Sequence, residues 1–211
     1  MKIVVFGASG KTGLHLIKQA LDNQHEVIAY VRRDNAIGLE HKNLKIVVGN
    51  LSDVSKISET IKGSDACISA LGGNSLRKHA IDFMNGISNI IKAMETNGVN
   101  RFIYLSSIGA GESRLYMSQP IRFLIVDLML KIPLADHTKN EEAIKTSKLQ
   151  WTIVRPGGLN DTPLSDKELS HGHEAIVLKG NPSISRANVA SFMLAQLSHD
   201  TYLNKSAWLH Q

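Results

Sequence analysis

Apolar residues along this chain fall in short runs, separated by longer stretches in which they recur at helical spacing. The runs KIVVFG (2–7), EVIAYV (26–31), LKIVVGN (44–50), DACISALG (65–72), RFIYLSS (101–107) and QWTIVRPG (150–157) are predicted strands. They are continuously apolar rather than alternating, as in a sheet covered on both faces. After the first run, Leu14, Ile17 and Leu21 follow a helical interval. The segment AIDFMNGISNIIKAMETNG reads as a long amphipathic helix stopped by Gly98. Segments 121–132 and 136–147 read as helices separated by Pro133, and AIVLKG (175–180) as a short strand. SRANVASFMLAQLS reads as a last helix with Ser185 as its N-cap, and SAWLHQ is expected to add an edge strand. The least patterned stretch, 157–174, is expected to be a loop beside a cleft.

Strands at this rhythm, split by crossovers, mean parallel βαβ units. The predicted fold is an α/β, Rossmann-type, doubly wound and mostly parallel sheet in three αβα layers. A length of 211 residues suits a single domain, 1–211, with the part from about 157 to 211 contributing to the substrate side. The formal charge of +5 comes from scattered basic residues, which gives no nucleic-acid surface. The lone Cys67 lies in an apolar run and leaves no internal disulfide or paired-cysteine metal site. Lys2 leads straight into a strand, so no signal peptide is read. The run IRFLIVDLMLKIPL is interrupted by Arg122, Asp127, Lys131 and Pro133, too short and too charged to span a bilayer. Its Met and Leu residues are read as core or as an apolar wall on the substrate side. The expectation is a cytoplasmic protein, monomer or homodimer, with a small-molecule substrate and neither nucleic-acid nor membrane partners.

The stretch VVFGASGKTG (4–13) decides between two phosphate-binding turns. A nucleotide-triphosphate loop needs glycine five residues before Gly10-Lys11-Thr12, and Val5 stands there. Gly7, Gly10 and Gly13 instead fit the dinucleotide turn between a strand and a helix. Exposed amides at the helix start then hold pyrophosphate, with side-chain contacts expected from Ser9, Lys11 and Thr12. An NAD site places a carboxylate at the end of the second strand; here EVIAYV ends in Arg32-Arg33. Two arginines favour a 2′-phosphate, hence NADP(H) over NAD(H). Further cofactor contacts are expected at the other strand ends: Asn50 and Leu51, then Ala70, Leu71 and Gly72, then Ser106 and Ser107. His171 and His173 form an H-x-H pair with no third metal ligand at useful spacing.

The segments FGASGKTG, YVRRD, VVGNLSD, ALGG, YLSSIG and SKLQWTIVRPGGL together resemble the atypical short-chain dehydrogenase/reductase superfamily. Order and spacing are most similar to the NAD(P)H-binding group that includes biliverdin-IXβ reductase/flavin reductase, as are DTPL and the C-terminal LHQ. The resemblance covers nearly the whole chain and implies the fold and an NAD(P)H cofactor. The superfamily ordinarily uses a Tyr-x-x-x-Lys pair, yet Asp34, Ile108, Pro120 and Ser206 stand four residues beyond the four tyrosines. By resemblance, the lysine position ten residues before Ser147 is His137 and the tyrosine position is Pro133. The reductase branch carries histidine there and a serine matching Ser107. It also has a second histidine where this chain has Gly158. The resemblance thus points to Ser107 and His137 as the catalytic pair and puts Arg155 and Pro156 beside the cofactor. His137 reads equally as a helix-start residue, Ser106 as a strand-end cap, and Arg155 as the partner of an acidic neighbour.

Two functions follow. One is an NADPH-dependent reductase passing hydride to a flavin, quinone or tetrapyrrole-like acceptor, with the proton coming from water. The other is a non-catalytic NADP(H) sensor that binds a partner protein.

Overall fold

In the computed structural model, which describes residues 1–73, 75–165, 168–177 and 182–211, ten strands and six α-helices are found among the described residues. The predicted strands appear as β1 (Lys2–Phe6), β2 (Glu26–Val31), β3 (Leu44–Val48), β4 (Ala66–Ser69), β5 (Arg101–Leu105) and β6 (Gln150–Pro156). Each of β1, β4 and β5 is nearly or wholly buried along its length, because both faces are covered. Together with β10 (Lys205–His210) and β8 (Ser170–Gly172) they form one sheet in the order β3-β2-β1-β4-β5-β6-β10-β8. All pairings are parallel except that of β8 with β10. The order reverses between β1 and β4, so the crevice of a doubly wound sheet opens at their C-terminal ends.

Helices α1 (Lys11–Asp22) and α6 (Arg186–Ala195) pack together over one face of the sheet. Their core joins Leu16, Ile17, Val5, Val154, Val189 and Met193. Helices α2 (Val54–Ile61), α3 (Ile81–Asn97) and α5 (Lys131–Lys145) cover the other face around Phe6, Ile57, Ile87, Ile90, Phe102 and Tyr104. Gly98 ends α3 in the left-handed conformation, and the Ser185 hydroxyl accepts from the Asn188 amide to cap α6, both as predicted.

Several elements differ from expectation. The buried stripe of α1 is Leu16, Ile17, Ala20 and Leu21, whereas Leu14 is exposed. Two further strands, β7 (Gly158–Asn160) and β8, lie in the stretch expected to be loop; β7 pairs with β9 (Ser183–Ser185). The C-terminal strand β10 is not at the edge, since β8 closes over it. Gly172 allows this, because a Cβ there would stand 2.7 Å from the Trp208 ring. Pro133 does not separate two helices: it lies in the first turn of α5, where a missing N–H breaks no intrahelical bond. Before it run α4 (Gln119–Ile121) and a π-helical segment, Arg122–Met129. Among its described side chains Val126 is core, while Phe123, Leu124, Leu128 and Met129 are exposed. Residues 175–177 form no strand, and the rest of the predicted strand 175–180 lies outside the described residues. None of the described helices is long and apolar enough to cross a membrane.

Candidate functional site

The turn between β1 and α1 is built as the glycine spacing requires. Gly7 has φ +76°, and a Cβ there would lie 2.6 Å from the carbonyl carbon of Ala70 on the neighbouring strand end. At Gly13 a Cβ would lie 2.1 Å from the Gly7 carbonyl oxygen, so only glycine lets α1 start this close to the turn. Gly10 is the N-cap and offers no side chain to the first-turn amides of α1. Ser9, Gly10 and Lys11 are exposed and Thr12 is buried. The result is an uncapped helix N-terminus facing solvent at the crevice, the arrangement that receives a phosphate. Lys11 Nζ bonds Asp161 Oδ2 at 2.7 Å, and Asp161 Oδ1 takes Arg186 Nη1 at 2.5 Å.

At the end of β2, Arg32 and Arg33 are exposed and have no ion-pair partner among the described residues. Asn50 follows β3, its carbonyl held by the Tyr30 hydroxyl at 2.9 Å. Leu51 packs on Gly86 of α3, and its carbonyl accepts from Asn89. Ala70 and Leu71 lie against Gly7, and Gly72 is exposed beyond them. These residues stand at the C-terminal ends of β1 to β4, and Gly7 and Gly13 keep the turn free of side chains where a Cβ would meet backbone.

The ends of β5 and β6 are more differentiated. Ser106 Oγ donates to Glu141 Oε1 at 2.6 Å inside the protein, away from the open crevice. Arg155 is 1% exposed and is clamped by Glu141 and Glu112. Arg155 thus has the acidic partners that its second reading expected, whereas the Ser106 hydroxyl caps no strand end and donates to Glu141 of α5 instead. Burial opposes the Arg155 charge, and its bonds to Glu141 and Glu112 more than offset that, so the guanidinium stays protonated. The same bond from Arg155 holds the Glu112 carboxyl down, to about 2. The Pro156 carbonyl accepts from the Ile108 amide, which fixes the turn after β5. Ser107 is half-buried in that turn, its hydroxyl on the Ile108 carbonyl at 3.1 Å.

His137 lies in the second turn of α5, past the helix start, and is half-buried. Its Nδ1 is 2.8 Å from the Tyr104 hydroxyl, and Tyr104 also accepts from Asn140 Nδ2 at 3.2 Å. His137 Nδ1 is the acceptor within reach of the Tyr104 hydroxyl proton among the described residues; with that bond made, neutral His137 carries its proton on Nε2. Burial lowers His137 to about 4, with Glu141 and Asp136 opposing, so the ring is neutral near pH 7. Burial drives Tyr104 well above its ordinary value.

Sequence reasoning missed Tyr104, Asn140, Asp136, His79 and Glu141. Asp136 is fully buried, and its two oxygens take His79 Nδ1 at 2.5 Å and the Ala80 amide at 2.8 Å. The signal available was position alone, because Asp136 and Asn140 flank His137 on one face of a helix. The histidine pair has structural partners: His171 bonds the Tyr202 hydroxyl at 2.6 Å, and His173 pairs with Glu174.

The model of a family described as NAD(P)H-binding matches residues 7–200. A yeast relative, the UPF0659 protein YMR090W of Saccharomyces cerevisiae, is 29% identical over 94% of this chain and 88% of its own. Among solved structures, ChuY, an anaerobillin reductase from Escherichia coli O157:H7, superposes with a TM-score of 0.83 at 22% identity. That match covers 100% of this chain and 97% of the other. A short-chain dehydrogenase/reductase from Veillonella parvula, solved in complex with NADP, gives a TM-score of 0.82 at 16% identity, over 100% and 94% of the two chains.

Proposed function

From membership of the NAD(P)H-binding family, to which this chain belongs, we propose that the protein is an NADPH-dependent reductase of a conjugated small acceptor such as a flavin, a quinone or a tetrapyrrole. The observation that carries this reading is a juxtaposition at one end of the sheet. An uncapped, glycine-cradled helix N-terminus stands beside the His137–Tyr104–Asn140 network, with no Tyr-x-x-x-Lys pair. Bound NADPH supplies the hydride.

The chain's own residues bind, orient and shield. The first-turn amides of α1 and Lys11 would hold the pyrophosphate, Lys11 giving up Asp161 to do so. Arg32 and Arg33, without ion pairs among the described residues, would take the 2′-phosphate, which would favour NADPH over NADH. His137 would bind the ribose next to the nicotinamide, and Ser107 would orient the carboxamide or the acceptor. The part of the chain from about 157 onward would contribute to the substrate side. Acceptors of this class take hydride without an ionised tyrosine, which fits a site whose one nearby tyrosine hydroxyl is buried and committed to His137. The similar folds from Escherichia coli, an anaerobillin reductase, and Veillonella parvula, solved with NADP, support the same reading.

A second reading, an NADP(H) sensor that binds a partner, draws on the exposed Phe123, Leu128 and Met129. The two separate by following NADPH loss with FMN, a quinone or biliverdin as acceptor. Turnover with any of them supports the reductase. Tight NADPH binding, no turnover, and capture of a partner that depends on the NADP/NADPH ratio support the sensor.

A further inference from the structure

The reductase reading leaves the source of the proton open, and the inference here rests on that reading. Hydride reduction of a conjugated acceptor places a pair of electrons on a heteroatom that then needs a proton. The described titratable side chains near the β5 end are poorly suited to give it. His137 is held to about 4 by burial and is neutral at working pH. Tyr104 is fully buried, well above its ordinary value, with its hydroxyl spent between Asn140 and His137. Ser107 donates to a backbone carbonyl.

One group remains. His79, in the segment between β4 and α3, has a side chain 48% exposed, while the Asp136 it contacts is 1% exposed. A carboxylate accepts only, so His79 Nδ1 is the donor at 2.5 Å. Asp136 is itself fixed by the Ala80 amide at 2.8 Å, at the start of α3. The imidazole is thus held by a buried anchor with its Nε2 edge left free. The anchor lies close to the stretch past β4: a Cβ on Gly73, just past Gly72, would stand 4.0 Å from Asp136 Oδ2. A histidine aimed through Nδ1 by a buried carboxylate is the arrangement that serves general acid–base chemistry at Nε2.

We propose that His79, oriented by Asp136, is the acid that protonates the reduced acceptor. The hydride leaves the dihydronicotinamide C4 with its electron pair and forms the new bond on the acceptor, and the nicotinamide is oxidised. The Nε2–H bond of the His79 imidazolium breaks, and its proton goes to the acceptor heteroatom that gained the charge. The neutral ring keeps its Nδ1–H on Asp136, and solvent at the exposed edge returns the proton. Of the titratable groups around His79, Asp136 is in contact, from α5. His137 is next to it on α5, against Tyr104 of β5; Arg77 and Lys78 flank His79 in its own segment; Asp82 stands in the first turn of α3.

Two measurements test this. Nitrogen-15 NMR of the protein without NADPH reads the tautomer of neutral His79, and Nδ1–H is expected; Nε2–H overturns the proposal. Steady-state NADPH oxidation with the accepted acceptor is then compared between wild type and His79→Ala, with NADPH affinity measured alongside. The variant is expected to lose about a hundredfold or more in kcat, to bind NADPH as wild type does, and to recover turnover with added imidazole. A variant with wild-type kcat overturns the proposal alone. So does one that is inactive, fails to bind NADPH and is not rescued by imidazole, which makes His79 structural. Wild-type protein that turns over no acceptor overturns the reductase reading, and this role with it.

Discussion

At the scale of single residues, the site depends on positions where no other side chain fits. Gly7 takes φ +76° with Ala70 backbone where a Cβ would be, so Gly7→Ala is expected to cost about 1–3 kcal/mol and to abolish NADPH binding, read by urea unfolding and by titration. Arg32 and Arg33 are free of ion pairs among the described residues. Removing one is expected to weaken NADPH by about tenfold to a hundredfold and to leave NADH unchanged; an equal loss for both cofactors counts against the 2′-phosphate assignment. His137 carries a pH signature. Its folded value of about 4 lies below the ordinary 6.5, so the unfolded chain binds the extra proton first as pH falls. Its contribution is complete above about pH 6.5 and is lost as pH drops toward 4. The urea midpoint of wild type is therefore expected to fall between about pH 7 and about pH 5, and His137→Gln to remove part of that fall; the same pH dependence in both contradicts the assignment. The glycines and arginines were readable because their roles follow from a local turn. The His79–Asp136 contact was not, because it joins residues 57 apart in sequence and depends on how α5 meets the start of α3.

At the scale of elements, the strands of the central sheet were legible because each is a buried apolar run bounded by turn residues. The helical stretch between Gln119 and Lys145 was not. Pro133 reads as a breaker, yet in a first turn it breaks nothing, and the exposed apolar residues of Arg122–Met129 mimic core periodicity. The short strands β7, β8 and β9 carry little pattern of their own and exist through their partners. What joins these elements is the Arg155–Glu141–Glu112 cluster, which ties β6 and α5 to the 3-10 segment Gly111–Tyr116, with Ser106 of the β5 end on Glu141. Arg155→Leu leaves the buried Glu141 carboxylate with only Ser106 and, at 3.7 Å, Lys145, and is expected to destabilise by about 3 kcal/mol. Arg155→Leu combined with Glu141→Leu is expected to be less destabilised than the single variant. Additive losses in urea unfolding count against the pairing as the cause.

At the scale of the whole molecule, the sheet order places every strand end that matters on one side, with the reversal between β1 and β4 opening the crevice. The glycine turn, the arginine pair and the His137 network converge there although they come from residues 7 to 140. Binding across that crevice links both halves of the sheet, so NADPH at a hundred times its Kd is expected to stabilise the fold by about 2.7 kcal/mol. The central claim is hydride transfer from NADPH, and its most direct test is the rate of NADPH loss with FMN, a quinone and biliverdin offered in turn, with NADH run in parallel. The account predicts protein-dependent turnover with at least one of the three, faster with NADPH than with NADH. NADPH that binds but is never oxidised, whichever acceptor is present, would contradict it.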